Sequence, residues 1–117
     1  MGEEQRRFER IRATFQVECQ RYGALAETWR RVAAIDLSAG GLAFHSDEPF
    51  EAGEMLEIRI ALPGAREPLV LRGLVIRSDA LKPDMIRCAV EFSDMSPDAQ
   101  TEIDELVRFL KSRPASD

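Results

Sequence analysis

Between residues 13 and 21 apolar and polar side chains alternate: Phe15, Val17 and Cys19 fall on one face, Gln16, Glu18 and Gln20 on the other. A period of two predicts a strand with one face buried. Short extended segments follow at Arg30 to Asp36 and Leu42 to His45. Leu56, Ile58 and Ile60 alternate with Glu57 and Arg59 as a fourth strand, and residues 68–77 are rich in Leu, Val and Ile. Ile86, Cys88, Val90 and Phe92 alternating with Arg87, Ala89 and Glu91 give the cleanest strand of all. The period then changes. Ile103, Leu106, Val107 and Leu110 recur at helical spacing, an apolar stripe that must pack on something. Ser96 suits the N-cap, Pro97 the first helical position, and Asp98 the positive end of the helix dipole; Lys111 and Arg113 suit the other end, and Pro114 stops the helix.

Punctuation between these segments follows turn chemistry. Gly23 opens a loop, and Asp47-Glu48-Pro49 with Gly53 mark another. Pro63-Gly64 fits a type II turn. In Asp36-Leu37-Ser38-Ala39-Gly40-Gly41 the two glycines are free to take positive φ in a tight turn. Gly73 marks a bulge in the fifth strand, and Ser78 to Asp84, with Pro83, read as a loop. Six short strands at near-regular spacing and one late helix predict an all-β-dominated fold: a six-stranded antiparallel barrel, whose closure removes sheet edges. The helix is expected to pack on the barrel or close one opening. Residues 1–12 are mostly charged and lack periodicity, which suggests a flexible arm. The organisation is one domain over 1–117: arm 1–12, barrel 13–95, helix 96–113.

Composition narrows the function. The chain has 117 residues, 44% hydrophobic and 32% charged, a mix that suits one folded core. Its net charge of −5 argues against a nucleic acid polymer as partner. The charge is uneven, however: Arg6, Arg7, Arg10 and Arg12 crowd one short stretch, which favours a small anionic ligand. Two cysteines and one histidine are too few for a structural zinc site, and Cys19 and Cys88 fall on inward strand positions as reduced core residues. The chain holds neither a long apolar run nor a secretory pattern at Met1 onward, so no membrane insertion is expected and the cytoplasm is the expected location. Asp36, Ser38 and His45 invite a hydrolase reading, but the glycine pattern of a nucleophile elbow is missing around Ser38, and no enzymatic activity is expected. Trp29 reads as a loop or core aromatic, and Arg77, at a strand end, is left outside the site.

Two segments carry the candidate chemistry. Arg6-Arg7-Phe8-Glu9-Arg10 contains R-x-x-x-R, and Asp36 to Gly41 contains D-x-S-x-x-G. Each alone is a common pattern. Together, in this order and ahead of six strands and a helix, they resemble the PilZ domain family of bacterial signalling proteins. The resemblance covers nearly the whole chain. It implies a receptor for cyclic di-GMP that changes conformation on binding and signals to an unidentified downstream protein, with no metal and no cofactor besides that ligand. Carried over on the motifs, Arg6 and Arg10 would contact guanine and phosphate, with Arg7 as a helper. Asp36 and Ser38 would hold a guanine edge, and Gly40 and Gly41 would admit the ligand and complete the turn. Some members lack the arginines and act as adaptors through protein contacts alone, which is the alternative reading.

The chemistry supports the implied ligand independently. A guanine presents O6 and N7 acceptors that match the fork of an arginine, and arginine also pairs with phosphate and stacks on a base. The other guanine edge offers N–H donors that a carboxylate accepts.

Overall fold

The computed structural model describes residues 10–11, 15–23 and 28–112. It contains strands β1 (Arg10–Ile11), β2 (Phe15–Arg21), β3 (Arg30–Ser38), β4 (Gly41–Ser46), β5 (Met55–Ile60), β6 (Leu69–Lys82) and β7 (Met85–Ser93), then helix α1 (Pro97–Lys111). The sheet order is β1-β3-β2-β5-β6-β7-β4, and β4 pairs back onto β3. That last pairing closes β2 to β7 into the six-stranded antiparallel barrel the sequence predicts. The short β1 is an addition to β3.

Alternation sets the barrel interior. Val17 and Cys19 of β2, Leu42 and Phe44 of β4, Leu56, Ile58 and Ile60 of β5, and Cys88, Val90 and Phe92 of β7 are all buried. Both cysteines are free thiols in this core, and burial pushes the Cys19 thiol up to about 12. The buried face of α1 (Ala99, Ile103, Leu106 and Val107) joins the same apolar cluster. The C-terminal half of the helix lies against Phe15, Ile60 and Leu62, at one end of the barrel. The helix start matches expectation: the Ser96 hydroxyl accepts from the Ala99 amide at 3.0 Å, with Pro97 in the first turn. The helix ends at Lys111 with Ser112 as its cap; Arg113 and Pro114 lie outside the described residues.

Pro63-Gly64 forms the expected turn. Gly64 has φ +77°, and the Ala65 amide donates to the Leu62 carbonyl at 3.2 Å. Two expectations are corrected. Residues 78–82 are not a loop: β6 runs on to Lys82 and pairs with β7 as far as Met85, so only Pro83 and Asp84 turn the chain. A cross-strand partner overrides the polar composition that suggested a loop. Gly73 is not a bulge either. It pairs regularly with Leu56 and Phe92, and the register shifts fall at Val75/Arg77 and Ala80/Lys82 instead. Gly73 is needed for space, since a Cβ there would lie 2.2 Å from Val90 Cγ1 and 2.9 Å from Ile58 Cδ1. Of the expected arm 1–12 the described residues are Arg10 and Ile11, which pair as the short β1.

Candidate functional site

The positions of the described candidate residues follow from β3. Its first half pairs with β2, from Arg30 opposite Cys19 to Ala34 opposite Phe15. Beyond Ala34 that edge is taken over by β1, with Ile11 opposite Leu37 and Arg10 opposite Ser38. The chain therefore brings the end of the arginine motif alongside the D-x-S-x-x-G segment, although 27 residues lie between Arg10 and Ser38 in the sequence. Arg6 and Arg7 lie outside the described residues.

A β-bulge decides which way Asp36 points. Val32 and Ala34 face inward, so strict alternation would put Asp36 inside as well. On the β4 side the register steps from Ala34 opposite Phe44 to Asp36 opposite Ala43, leaving Ile35 as the extra residue. The step returns Leu37 to the core, where it is fully buried, and turns Asp36 and Ser38 to the outer surface. Re-aiming a side chain beside a functional surface is a common use of a bulge.

Around Ser38 the turn is held by short bonds. The Ser38 hydroxyl accepts from the Gly40 amide at 3.1 Å, and the Gly40 carbonyl accepts from the Phe92 amide at 3.0 Å. Neither Gly40 nor Gly41 has positive φ, so the expected left-handed turn is corrected. Gly41 is required for another reason: it opens β4 opposite Glu91, and a Cβ there would come within 2.2 Å of the Val90 carbonyl oxygen. The glycine lets strands approach, in addition to any room it leaves for a ligand.

Cross-strand pairing shows what surrounds the motif. One row runs Asp36–Ala43–Ala89–Arg77 across β3, β4, β7 and β6. The rows beside it run Ser38–Gly41–Glu91 and Ala33–His45–Arg87. The middle of this outer face is thus glycine and alanine, and polar side chains ring it. Sequence reasoning did not single out Ala43, Ala89, Glu91 and Arg87. For Ala43 and Ala89 the signal is a small residue on the outward side of a strand, and for Arg87 and Glu91 a charge flanking it; each reads as filler until the strands are aligned. Arg77 does not end a strand; it lies inside β6, three strand spacings from Asp36 or roughly 14 Å. Its guanidinium pairs with Asp79 at 3.2 Å.

The outer face of β2 and β5 has a different character. Arg59 pairs with Glu18 at 2.7 Å and stacks over the Trp29 ring at 4.1 Å. Trp29 is therefore a platform for an internal cation, in the loop leading into β3. Gln20 donates to Glu57 at 2.9 Å, and Arg72 stacks over Tyr22 at 4.7 Å. On the opposite, core-facing alternation, at the end of β2, Arg21 lies over the Phe50 ring and joins Glu48 at 2.6 Å and Glu54 at 2.9 Å, which holds the Glu54 carboxyl below its usual range. Among the described residues no group of three His, Cys, Asp or Glu side chains could hold a metal ion, and no helix is long and apolar enough to cross a membrane.

Comparison with known proteins bears on the family and the fold. The PilZ domain profile matches residues 4–109, a span that contains both motifs. No curated protein sequence matches the chain. Among solved structures, the chain is similar to the inhibitor of motility MotI/DgrA of Bacillus subtilis, with 24% identity and a TM-score of 0.68 over 93% of this chain. It spans only about half of that protein, 53%. It is also similar to the PilZ domain of CeSA from a cellulose-synthesizing bacterium, with 26% identity and a TM-score of 0.66 over 88% of this chain and 98% of that one. The PilZ domain of Escherichia coli YcgR, solved with c-di-GMP, gives 20% identity and a TM-score of 0.67 over 91% of each chain. A profile match over nearly the whole chain and a closed six-stranded barrel with a C-terminal helix agree: the chain belongs to the PilZ domain family.

Proposed function

We propose that this protein is a cyclic di-GMP receptor that changes conformation on binding and passes the signal to a partner protein. The observation that carries this reading is the pairing of β1 with β3. It sets Arg10 opposite Ser38, beside a bulge that turns Asp36 outward on the same surface. A small-residue floor of Gly41, Ala43 and Ala89, of which Ala43 is itself buried, suits a planar base. Asp36 accepts from the N–H donors of one guanine edge, and the Ser38 hydroxyl bonds beside it. Arg6, Arg7 and Arg10 supply forks for guanine O6/N7 and for phosphate. Gly40 and Gly41 keep the turn low enough for the ligand to approach.

Seating the arginine segment over this floor is the conformational change, and it gives a partner a surface that differs with and without nucleotide. YcgR and a Klebsiella pneumoniae protein, MrkH, are similar structures solved with c-di-GMP, which supports the reading. Titration calorimetry with cyclic di-GMP, against GTP as control, tests it. Saturable binding of cyclic di-GMP alone is expected, lost in Arg6→Ala/Arg10→Ala while the barrel stays folded. No binding by calorimetry and by equilibrium dialysis would overturn the reading and leave an adaptor that works through protein contacts.

A further inference from the structure

The β6–β7 hairpin reaches beyond the strands that flank it. On the β5 side, β6 is paired only from Leu69 to Leu74, and the Val75 backbone then bonds to Gly53 and Glu54. Beyond Val75, among the described residues, no strand pairs with residues 76–82 on the side away from β7. An open edge is a template for another strand. Two bulges, at Val75/Arg77 and Ala80/Lys82, confine the regular part of this edge to Arg77, Ser78, Asp79 and Ala80. Ile76 and Leu81 flank it at either end and are 49% and 51% exposed.

We infer that this edge pairs with the same edge of a second copy, antiparallel about a two-fold axis at Ser78. The charges choose both occupant and register. Arg77 and Asp79 share the outer face and are themselves largely exposed, at 74% and 50% of their side chains. With Ser78 opposite Ser78 of the second copy, Arg77 faces the other copy's Asp79, and Asp79 faces its Arg77. Both rungs carry opposite charges, and Ile76 of each copy comes opposite Ala80 of the other, at the end of the regular segment. Shifting by one step in either direction places Asp79 on Asp79 or Arg77 on Arg77, which is repulsive. An unrelated strand would satisfy this alternation only by chance, whereas the segment satisfies its own. Such an isologous contact is self-complementary by construction. The edge is short, so the dimer is weak and reversible.

Sedimentation equilibrium without nucleotide tests the pairing, at protein concentrations up to about 1 mM, where a Kd of that order is still visible. The wild type dimerises. Arg77→Asp and Asp79→Arg each place two like-charge rungs in the seam and weaken dimerisation at least about tenfold. Mixed together, the two variants restore opposite charges on both rungs and form a 1:1 heterodimer. Arg77→Asp/Asp79→Arg in one chain restores the homodimer, which separates the charge pattern from any loss of fold. A wild type that stays monomeric, single variants that dimerise as the wild type does, or a mixture that fails to associate would each overturn the inference.

Discussion

The two outer faces of this barrel are built from the same alternating strands but spend their polar residues differently. On the β2–β5 face the charges are satisfied internally: Glu18 with Arg59, Arg59 on Trp29, and Arg72 on Tyr22. On the β3–β4–β7 face the centre is Gly41, Ala43 and Ala89, and the polar groups stand around it. Charge density alone would have pointed to the first face. Its arginines on Glu18, Trp29 and Tyr22 already have partners, so an incoming ligand must displace a bond to gain one. On the second face the central side chains are small, and backbone pairing brings Arg10 to its edge. On the proposed reading, small residues ringed with polar ones mark the ligand surface better than a count of charges does.

The largest effect is expected at Gly41. Gly41→Ala drives a methyl group into the Val90 carbonyl, and the β4–β7 ladder must open to relieve it. We expect a loss of about 2–3 kcal/mol, read from urea unfolding, as for other overpacked sites. A loss below about 0.5 kcal/mol would show that the glycine serves ligand approach alone. Next in size is Asp36→Ala. On the proposed reading it weakens cyclic di-GMP binding roughly 10- to 100-fold, equivalent to about 1–3 kcal/mol, because one guanine edge loses its acceptor. Unaltered affinity would move the site elsewhere.

Arg59→Met sharpens the opposite face. It removes the Glu18 pair and the contact over Trp29 but keeps the apolar stem. Stability should fall by about 1 kcal/mol, with a change in tryptophan fluorescence and no change in ligand affinity. A drop in affinity would mean that the two faces are coupled. The smallest effect is on acid stability. Glu54 titrates below its ordinary value of 4.5 in the folded protein because Arg21 bonds its ionised form. That contribution is present above the unfolded value and is lost as pH falls through the lower folded one. Both side chains are partly exposed, so the pair is worth less than about 1 kcal/mol. Arg21→Gln should therefore flatten the acid limb of the stability profile below pH 4.5. An acid limb that is unchanged would remove Glu54 from the account.

Local chemistry made much of this molecule legible from its sequence. The alternation of Ile86 to Phe92 has one strand solution, and the stripe from Ile103 to Leu110 has one helical solution. Ser96-Pro97-Asp98 marks a helix start, and Pro63-Gly64 marks a turn, because each depends on bonds made within a few residues. These signals determined six strands, a closed barrel, a final helix and the two motifs. The tertiary structure alone decided what depends on a neighbouring strand. The β6 extension through Ser78 to Lys82 exists because β7 pairs with it, against its own polar composition. Gly41 and Gly73 are set by the approach of Val90, and their φ angles give no hint of it. The outward turn of Asp36 comes from a one-residue bulge against β4, invisible to a periodicity that counts along one chain only. Alternation fixes which residues share a face of a strand; only the partner strand fixes which face that is, because a single inserted residue reverses it.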